Sequence, residues 1–313
     1  MKKYILLTGA SGFVGSTLAT TLVTQGALVR CVVRAPLEIA GAEIVTMPVL
    51  DGQTEWSHCL EGIDTVIHCA GRAHVMHDLY ADPLPEYRHV NVEATINLAQ
   101  QAAAAGVKRF IFMSTVKVNG ELTMKERPFT ERDAPMPQNP YAVSKYEAEK
   151  ALLKLAEQTQ LEVVIIRSPL IYGEGVKANF LSLLKMVHLG IPLPLGAIEN
   201  KRSFVYLENL HSLIMCCIEH PNAANQIFFV SDGQDLSTPE LLRYCATAMG
   251  VGAHLIPVPE SWCMISASLF GHEDAIHRLC DSLQVDISKA KKLLDWEPPI
   301  SVQIGLHKTV QHF

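Results

Sequence analysis

Apolar and polar positions alternate in two rhythms along the first half of this 313-residue chain. Short apolar runs have strand length and strand composition: YILLT (4–8), LVRCVV (28–33), IVTM (44–47), TVIHCA (65–70), RFIFMS (109–114) and LEVVIIRS (161–168). Between them lie longer stretches with helical spacing. GFVGSTLATTLVTQG follows the first strand, an alanine-rich run covers about 86–105, and YEAEKALLKLAEQ follows an Asn-Pro break. Continuous apolar strands separated by helices predict an α/β chain with a doubly wound parallel sheet covered on both faces. Its crossovers should be right-handed. After about residue 172 the pattern changes. Glycine and proline become frequent (YGEG, GIPLPLG, SDGQ), strands grow scarce and helices shorten. The final segment, VDISKAKKLLDWEPPISVQIGLHKTV, reads as two helices broken by Pro298-Pro299.

Composition narrows the partners. Hydrophobic residues make up 49% and charged residues 19%, the net charge is −6, and no Lys/Arg block stands out. Nucleic acid and anionic membrane surfaces are therefore excluded as main partners, while a phosphorylated small molecule needs only one or two local arginines. The apolar run in MKKYILL is too short for a signal peptide and leads directly into a glycine-rich loop. No stretch approaches the roughly 20 apolar residues of a membrane span. Eight cysteines form no C-x-x-C pair and fall mostly within apolar runs, as expected of buried thiols in a reducing compartment; the expected address is cytoplasmic.

The first chemical constellation is TGASGFVG, Thr8 to Gly15, placed directly between a strand and a helix. That is the context of a dinucleotide fingerprint. Gly9 permits a tight turn, Gly12 lets the backbone approach a pyrophosphate, and Gly15 allows close helix–strand packing. The N–H groups of Phe13, Val14 and Gly15 would then face the phosphates at a helix N-terminus. Cofactor choice turns on the end of the second strand, where an acid would bind the adenosine ribose of NAD and an arginine the NADP phosphate. Arg34 stands there, with no acid before Glu38, so the sequence leans to NADP(H) and keeps NAD(H) open. Asp51 is a candidate adenine contact. Histidines 68, 74, 77 and 89, with Asp78, show no consistent ligand spacing, and no metal is expected.

The second constellation is NPYAVSK, residues 139–145. Proline suits the first turn of a helix, and positions i and i+4 share one face, so Tyr141 and Lys145 should stand side by side where the helix emerges from a loop. An ammonium beside a phenol favours its ionised form. Y-x-x-x-K also occurs by chance, so the surrounding motifs decide its meaning.

TGASGFVG, VIHCAG, NVEAT, FMSTVKVNG, NPYAVSK, IIRSPLIYGEG and RSFVYLENL occur in the order found in extended short-chain dehydrogenases/reductases. Nearly the whole chain resembles their nucleotide-sugar epimerase/dehydratase branch. Within it the likeness is to 4-ketoreductases of the UDP-N-acetylquinovosamine type, which themselves resemble UDP-glucose 4-epimerases. The resemblance implies a Rossmann-type nucleotide domain (1–172 plus about 203–230) and a smaller mixed C-terminal substrate domain (173–202 plus 231–313). It implies that Tyr141 exchanges the proton of the sugar hydroxyl, that Lys145 holds the nicotinamide ribose and lowers the tyrosine pKa, and that Thr115 orients the reacting oxygen. Ala70, Gly71, Asn91 and Pro169 would line or brace the cofactor, with Leu170 beside Pro169. Asn179, Arg202 and Arg278 would hold the diphosphate of a UDP-sugar, and a homodimer would form through helices 86–105 and 142–158. Three positions depart from the pattern: Asn119 replaces a tyrosine, Leu170 a frequent asparagine, and Lys117 is an unusual charge, all expected near the sugar pocket. The expected reaction is hydride transfer at C4 of a UDP-(N-acetyl)hexose, foremost as a 4-ketoreductase, alternatively as a 4-epimerase with tightly held NAD. A silent dinucleotide sensor is a remote third reading, since both Tyr141 and Lys145 are present.

Overall fold

A computed structural model describes residues 3–73, 82–262, 264, 273–311 and 313. Seven strands lie parallel in the order β3-β2-β1-β4-β5-β6-β9. They are β1 (Tyr4–Thr8), β2 (Leu28–Val33), β3 (Glu43–Thr46), β4 (Thr65–His68), β5 (Arg109–Thr115), β6 (Glu162–Ser168) and β9 (Gln226–Phe229). A separate two-stranded pair joins β7 (Leu170–Tyr172) to β8 (Phe204–Tyr206), also in parallel. The strand order reverses between β1 and β4, which opens a crevice at their carboxyl ends.

The strands are apolar throughout because both faces are covered. Alternate residues serve opposite layers: Ile5, Leu7, Ile67, Ile111, Met113, Val164 and Ile166 pack on one side, with helices α1 (Phe13–Thr24) and α7 (Leu207–Glu219). Leu6, Val66, Phe110, Phe112, Val163 and Ile165 pack on the other, against α4 (Ala94–Ala104) and α5 (Pro140–Gln158). The expected helix over 86–105 is α3 (Leu84–Arg88) running through a π-helical turn, His89–Glu93, into α4. Short π-helical turns of this kind collect at functional sites, and this one carries Asn91.

The remaining helices form two smaller clusters. One gathers Phe180 and Leu184 of α6 (Ala178–His188), Leu241 and Cys245 of α8 (Thr238–Met249), and Val302 and Leu306 of the helix Val302–Gln311 around Tyr172 and Tyr206. The other joins Val187, Leu193, Leu195, Leu242 and Cys280. The helices Ser288–Leu294 and Val302–Gln311 flank Pro298-Pro299. The segment from Leu283 to Trp296 crosses the expected domain boundary and packs into the sheet's own core with Phe228 and Phe229. The helix Ser288–Leu294 packs against β9, which places it with the sheet.

Gly9 has φ +74, and a Cβ there would lie 2.6 Å from the Ala70 nitrogen. A Cβ on Gly15 would lie 2.2 Å from the Gly9 carbonyl oxygen, with backbone on both sides. Gly15→Ala should therefore cost at least about 2 kcal/mol of stability, read as a lowered urea midpoint at unchanged slope; an unaltered midpoint would show that the β1–α1 turn yields freely.

Candidate functional site

The site grows from four chain segments at the carboxyl edge of the sheet. β1 delivers the glycine turn and α1. Gly12 is the N-cap of α1 and has no side-chain cap, and no acid sits in the first turn. The N–H groups of Phe13, Val14 and Gly15 thus lack intrahelical acceptors and aim an anion-seeking helix end at the crevice. β2 ends at Arg34, whose side chain is exposed. The Asp51 carboxylate accepts from the Gln53 N–H at 2.9 Å and the Thr54 hydroxyl at 3.0 Å, which holds its pKa below the usual carboxylate range and commits it to its own turn.

β4 delivers Ala70 and Gly71. Beneath them, Thr8, His68 and Thr95 form a buried chain, with 2.8 Å from the Thr8 hydroxyl to Nδ1 and 3.0 Å from Nε2 to the Thr95 hydroxyl. Burial, then the nearby Lys145 charge, pushes His68 down to about 3, so it stays neutral and ties β1, β4 and α4 together. Asn91 is buried; its carbonyl oxygen accepts the Arg72 N–H at 2.7 Å, and its amide donates to the Arg72 oxygen at 3.0 Å and to Ser144 Oγ at 2.9 Å. One side chain therefore pins the loop after β4 to α5, and Ser144 passes the connection on to the Tyr141 carbonyl at 2.8 Å.

α5 delivers Tyr141 and Lys145. Asn139 caps it through its side-chain oxygen, which accepts from the Ala142 N–H at 2.8 Å, and Pro140 takes the first turn. Thr115, at the end of β5, is buried, and its hydroxyl lies where it favours the Tyr141 phenolate. Tyr87 of α3 packs beside it, with ring centroids 6.2 Å apart, and the Arg72 guanidinium lies 5.3 Å above the Tyr87 ring. Burial, and then Tyr87, push the Tyr141 phenol up to about 12, with Thr115 opposing. The lowering of this phenol by Lys145 expected from the sequence is not found. Lys145 is itself pushed down to about 7 by burial, with Glu149 and Cys69 opposing, and its ammonium sits 3.7 Å over the Phe112 ring. It makes no hydrogen bond among the described residues. A lysine ammonium without an acceptor and an uncapped helix end are what a ribose and a pyrophosphate would complete, so these residues fit a dinucleotide.

The network beneath this group was missed by sequence reasoning. Glu149 and Arg167 form a fully buried pair: Arg167 Nε donates to Oε1 at 3.0 Å and Nη2 to Oε2 at 2.5 Å. Ser114 Oγ donates to Oε1 at 2.5 Å, and Arg167 Nη1 donates to the Asn119 side-chain oxygen at 2.8 Å. The signals were an arginine inside the apolar run LEVVIIRS and a glutamate four residues beyond Lys145. Asn119, expected at the sugar pocket, is instead buried against Arg167, because the guanidinium needs an acceptor there. Lys117 pairs with Glu121 at 3.1 Å, and Glu121 also accepts from Asn139.

Pro169 is buried directly after β6, while Leu170 is 38% exposed. Arg202 is half-buried; Nη1 donates to the Asp281 carbonyl at 2.9 Å, and burial lowers its pKa, with Asp281 and Glu121 opposing. Arg278 is exposed on the helix Glu273–Cys280, three residues before that carbonyl. Asn179 lies in α6, but its side chain, like His74, His77 and Asp78, is outside the described part. Among the described residues no cluster of three metal-ligating side chains occurs, and no helix is long and apolar enough to cross a membrane.

A dinucleotide-type crevice carrying a Thr-Tyr-Lys group at the ends of β5 and α5 defines a Rossmann-fold oxidoreductase of the short-chain dehydrogenase/reductase class. The chain belongs to the NAD dependent epimerase/dehydratase family, whose model matches residues 5–230. It is 47% identical over 316 residues to UDP-glucose 4-epimerase of Vibrio cholerae, covering 100% of this chain and 96% of that one. The structure of MoeE5 in complex with UDP-glucuronic acid and NAD is 26% identical, with TM-score 0.77 over 98% of each chain. UDP-glucose 4-epimerase with UDP-glucose from Thermotoga maritima shares the fold at TM-score 0.79 and 23% identity, over 99% of this chain and 98% of that one.

Burying Lys145 makes folding pH-dependent. Its pKa falls from 10.5 to about 7 on folding, so the unfolded state binds the proton more tightly. The cost, roughly 3–5 kcal/mol, is full below pH 7 and disappears as pH rises through 10.5. Lys145→Met should raise the Tm of nucleotide-stripped protein by several degrees at pH 7, and the gain should shrink steadily towards pH 10.5. A gain independent of pH would show that Lys145 is not desolvated.

Proposed function

We propose that this chain is an NAD-dependent nucleotide-sugar 4-epimerase acting on a UDP-hexose. The observation that carries this reading is the 47% identity over the full length of the Vibrio cholerae UDP-glucose 4-epimerase, together with the assembled Thr115, Tyr141 and Lys145. It replaces the reductase as the leading assignment. Gly9, Gly12, Phe13, Val14, Gly15, Ala70, Gly71 and Pro169 would hold the dinucleotide, with Asn91 bracing the loop. The nicotinamide supplies the hydride acceptor and donor. Tyr141 would take the proton of the C4 hydroxyl and return it to the same oxygen after the keto sugar has turned its other face to the nicotinamide, while Thr115 would hold that oxygen through both half-reactions. A phenol near 12 is too weakly acidic to serve as a phenolate at neutral pH, so cofactor and substrate must bring it down; a protonated Lys145 pulls in that direction. Arg202, Arg278 and Asn179 are the groups for the diphosphate.

A 4-ketoreductase is the second reading, and Arg34 favours it: an exposed guanidinium ends β2 where NAD binding favours an acid. The enzyme would work in the cytoplasm, where its thiols stay reduced, as a homodimer through α4 and α5.

Denaturing freshly purified protein and weighing the released nucleotide separates the two. Near-stoichiometric NAD with interconversion of UDP-glucose and UDP-galactose is the expected result; an empty protein that prefers NADPH and reduces a 4-keto UDP-sugar overturns the epimerase. Tyr141→Phe should lower kcat about 10²–10⁴-fold with cofactor still bound, and a fully active variant would remove Tyr141 from the mechanism.

A further inference from the structure

Glu149 lies one helical turn beyond Lys145 on α5, the i+4 spacing at which a lysine and a carboxylate normally pair directly. They do not pair here. Both carboxylate oxygens are taken from the other side by Arg167, and Oε1 takes the Ser114 hydroxyl as well. Arg167 is held in turn by Asn119. Lys145 is left over Phe112 with no acceptor. Had Glu149 been captured by Lys145, the ammonium would be tied down along its own helix, away from the crevice.

We propose that Arg167 is a positioning residue that acts through Glu149, holding this carboxylate in a two-pronged pair so that the Lys145 ammonium stays available to a ligand in the crevice. This rests on the Tyr141–Lys145 chemistry of the proposed function, and goes beyond it by assigning a task to a residue that touches neither cofactor nor substrate. The same pair fixes the relative positions of the elements that carry the reacting groups. Ser114 precedes Thr115 on β5, Glu149 shares α5 with Tyr141 and Lys145, and Arg167 precedes Ser168-Pro169 at the end of β6. A guanidinium suits this task because its fork engages two carboxylate oxygens in one plane and keeps a third nitrogen for Asn119.

The groups that set the charge on Lys145 are few. Glu149 acts on it from α5, His68 from the end of β4 and Cys69 from the residue after β4. β5 contributes the Phe112 ring and β6 contributes Arg167 through Glu149. His68 and Cys69 are both held neutral by burial, at about 3 and about 12, so Glu149 is the one nearby carboxylate among them.

The test is a double-mutant cycle read by NMR titration of ¹³C-labelled lysine in the nucleotide-stripped protein, a readout independent of any sugar or turnover. Arg167→Gln should release Glu149 to Lys145 and raise the lysine titration by about 1–3 pH units from its value of about 7. In a Glu149→Gln background the same change should move it by less than about half a unit, since the route is gone. Arg167→Lys, which keeps the charge near the carboxylate, should restore most of the wild-type titration. An unmoved titration in Arg167→Gln, or an equal rise in both backgrounds, overturns the proposal. If a single variant does not fold, the neutral pair Glu149→Gln/Arg167→Gln decides. Titration at or below about 7 supports the proposal, and titration above about 8 overturns it, since no carboxylate remains to hold the proton. Failure of the epimerase assay with this cycle intact would sink the assigned reaction alone.

Discussion

A buried lysine whose ammonium meets no hydrogen-bond acceptor among the described residues is the constraint around which this site is arranged. Lys145 is 4% exposed, and an isolated charge in such a place ordinarily neutralises or finds a partner. Here it is held between the two. Burial brings it to the edge of neutrality, the Phe112 ring supplies a weak electrostatic seat, and the nearest carboxylate is engaged elsewhere. The result is a group whose charge is decided by whatever enters the crevice. That is useful chemistry, because a ribose hydroxyl or a phenolate can then draw the proton to Lys145 at the moment it is needed. The protein stores instability at this point and recovers it on binding.

The same physics explains why one arrangement serves both epimerases and reductases. On the proposed function, moving a proton between a sugar hydroxyl and Tyr141 is reversible, and Thr115 would stabilise the oxygen in either direction. The difference lies in whether the dinucleotide leaves between turnovers. That depends on the adenosine end of the site, which is separate from the glycine turn in sequence. In space Arg34 and Asp51 follow β2 and β3, on the same sheet edge as α1. Asp51 spends its carboxylate on the Gln53 and Thr54 turn, so its contribution to binding would come from backbone and shape. Arg34 is exposed and has latitude to swing away from or over a ribose.

Much of the fold was legible because parallel strands advertise themselves. With both faces buried, YILLT, LVRCVV and RFIFMS have no polar alternation to confuse with anything else. Tyr141, Lys145 and Gly9 were legible because glycine turns and a proline-led helix fix their neighbours locally. What was hidden depended on partners distant in sequence. β9 was lost because Gln226–Phe229 lies in the glycine- and proline-rich second half of the chain and becomes a strand only beside β6. The helix Ser288–Leu294 was assigned to the smaller layer because its amphipathic face carries no address. The raised phenol of Tyr141 was misjudged for a similar reason: counting charges along α5 foretold attraction to Lys145, while burial and Tyr87 come from elements that a helical wheel cannot show.

Asn119 draws these threads together. A tyrosine at this position would place its hydroxyl well beyond the backbone, whereas the asparagine carbonyl meets Arg167 at 2.8 Å within a buried floor. Residues 119 and 167 therefore form one unit, and a change at either alters the support under Glu149 before it alters anything a sugar touches. The departure expected at the sugar pocket belongs, by its contacts, to the buried floor under Glu149. Leu170 is different in kind. Its side chain is exposed immediately after the buried Pro169, so a leucine in place of a polar residue removes hydrogen-bonding capacity from a surface position without disturbing the floor. Of the three departures, Asn119 is buried, Lys117 is paired with Glu121, and Leu170 is the exposed apolar side chain.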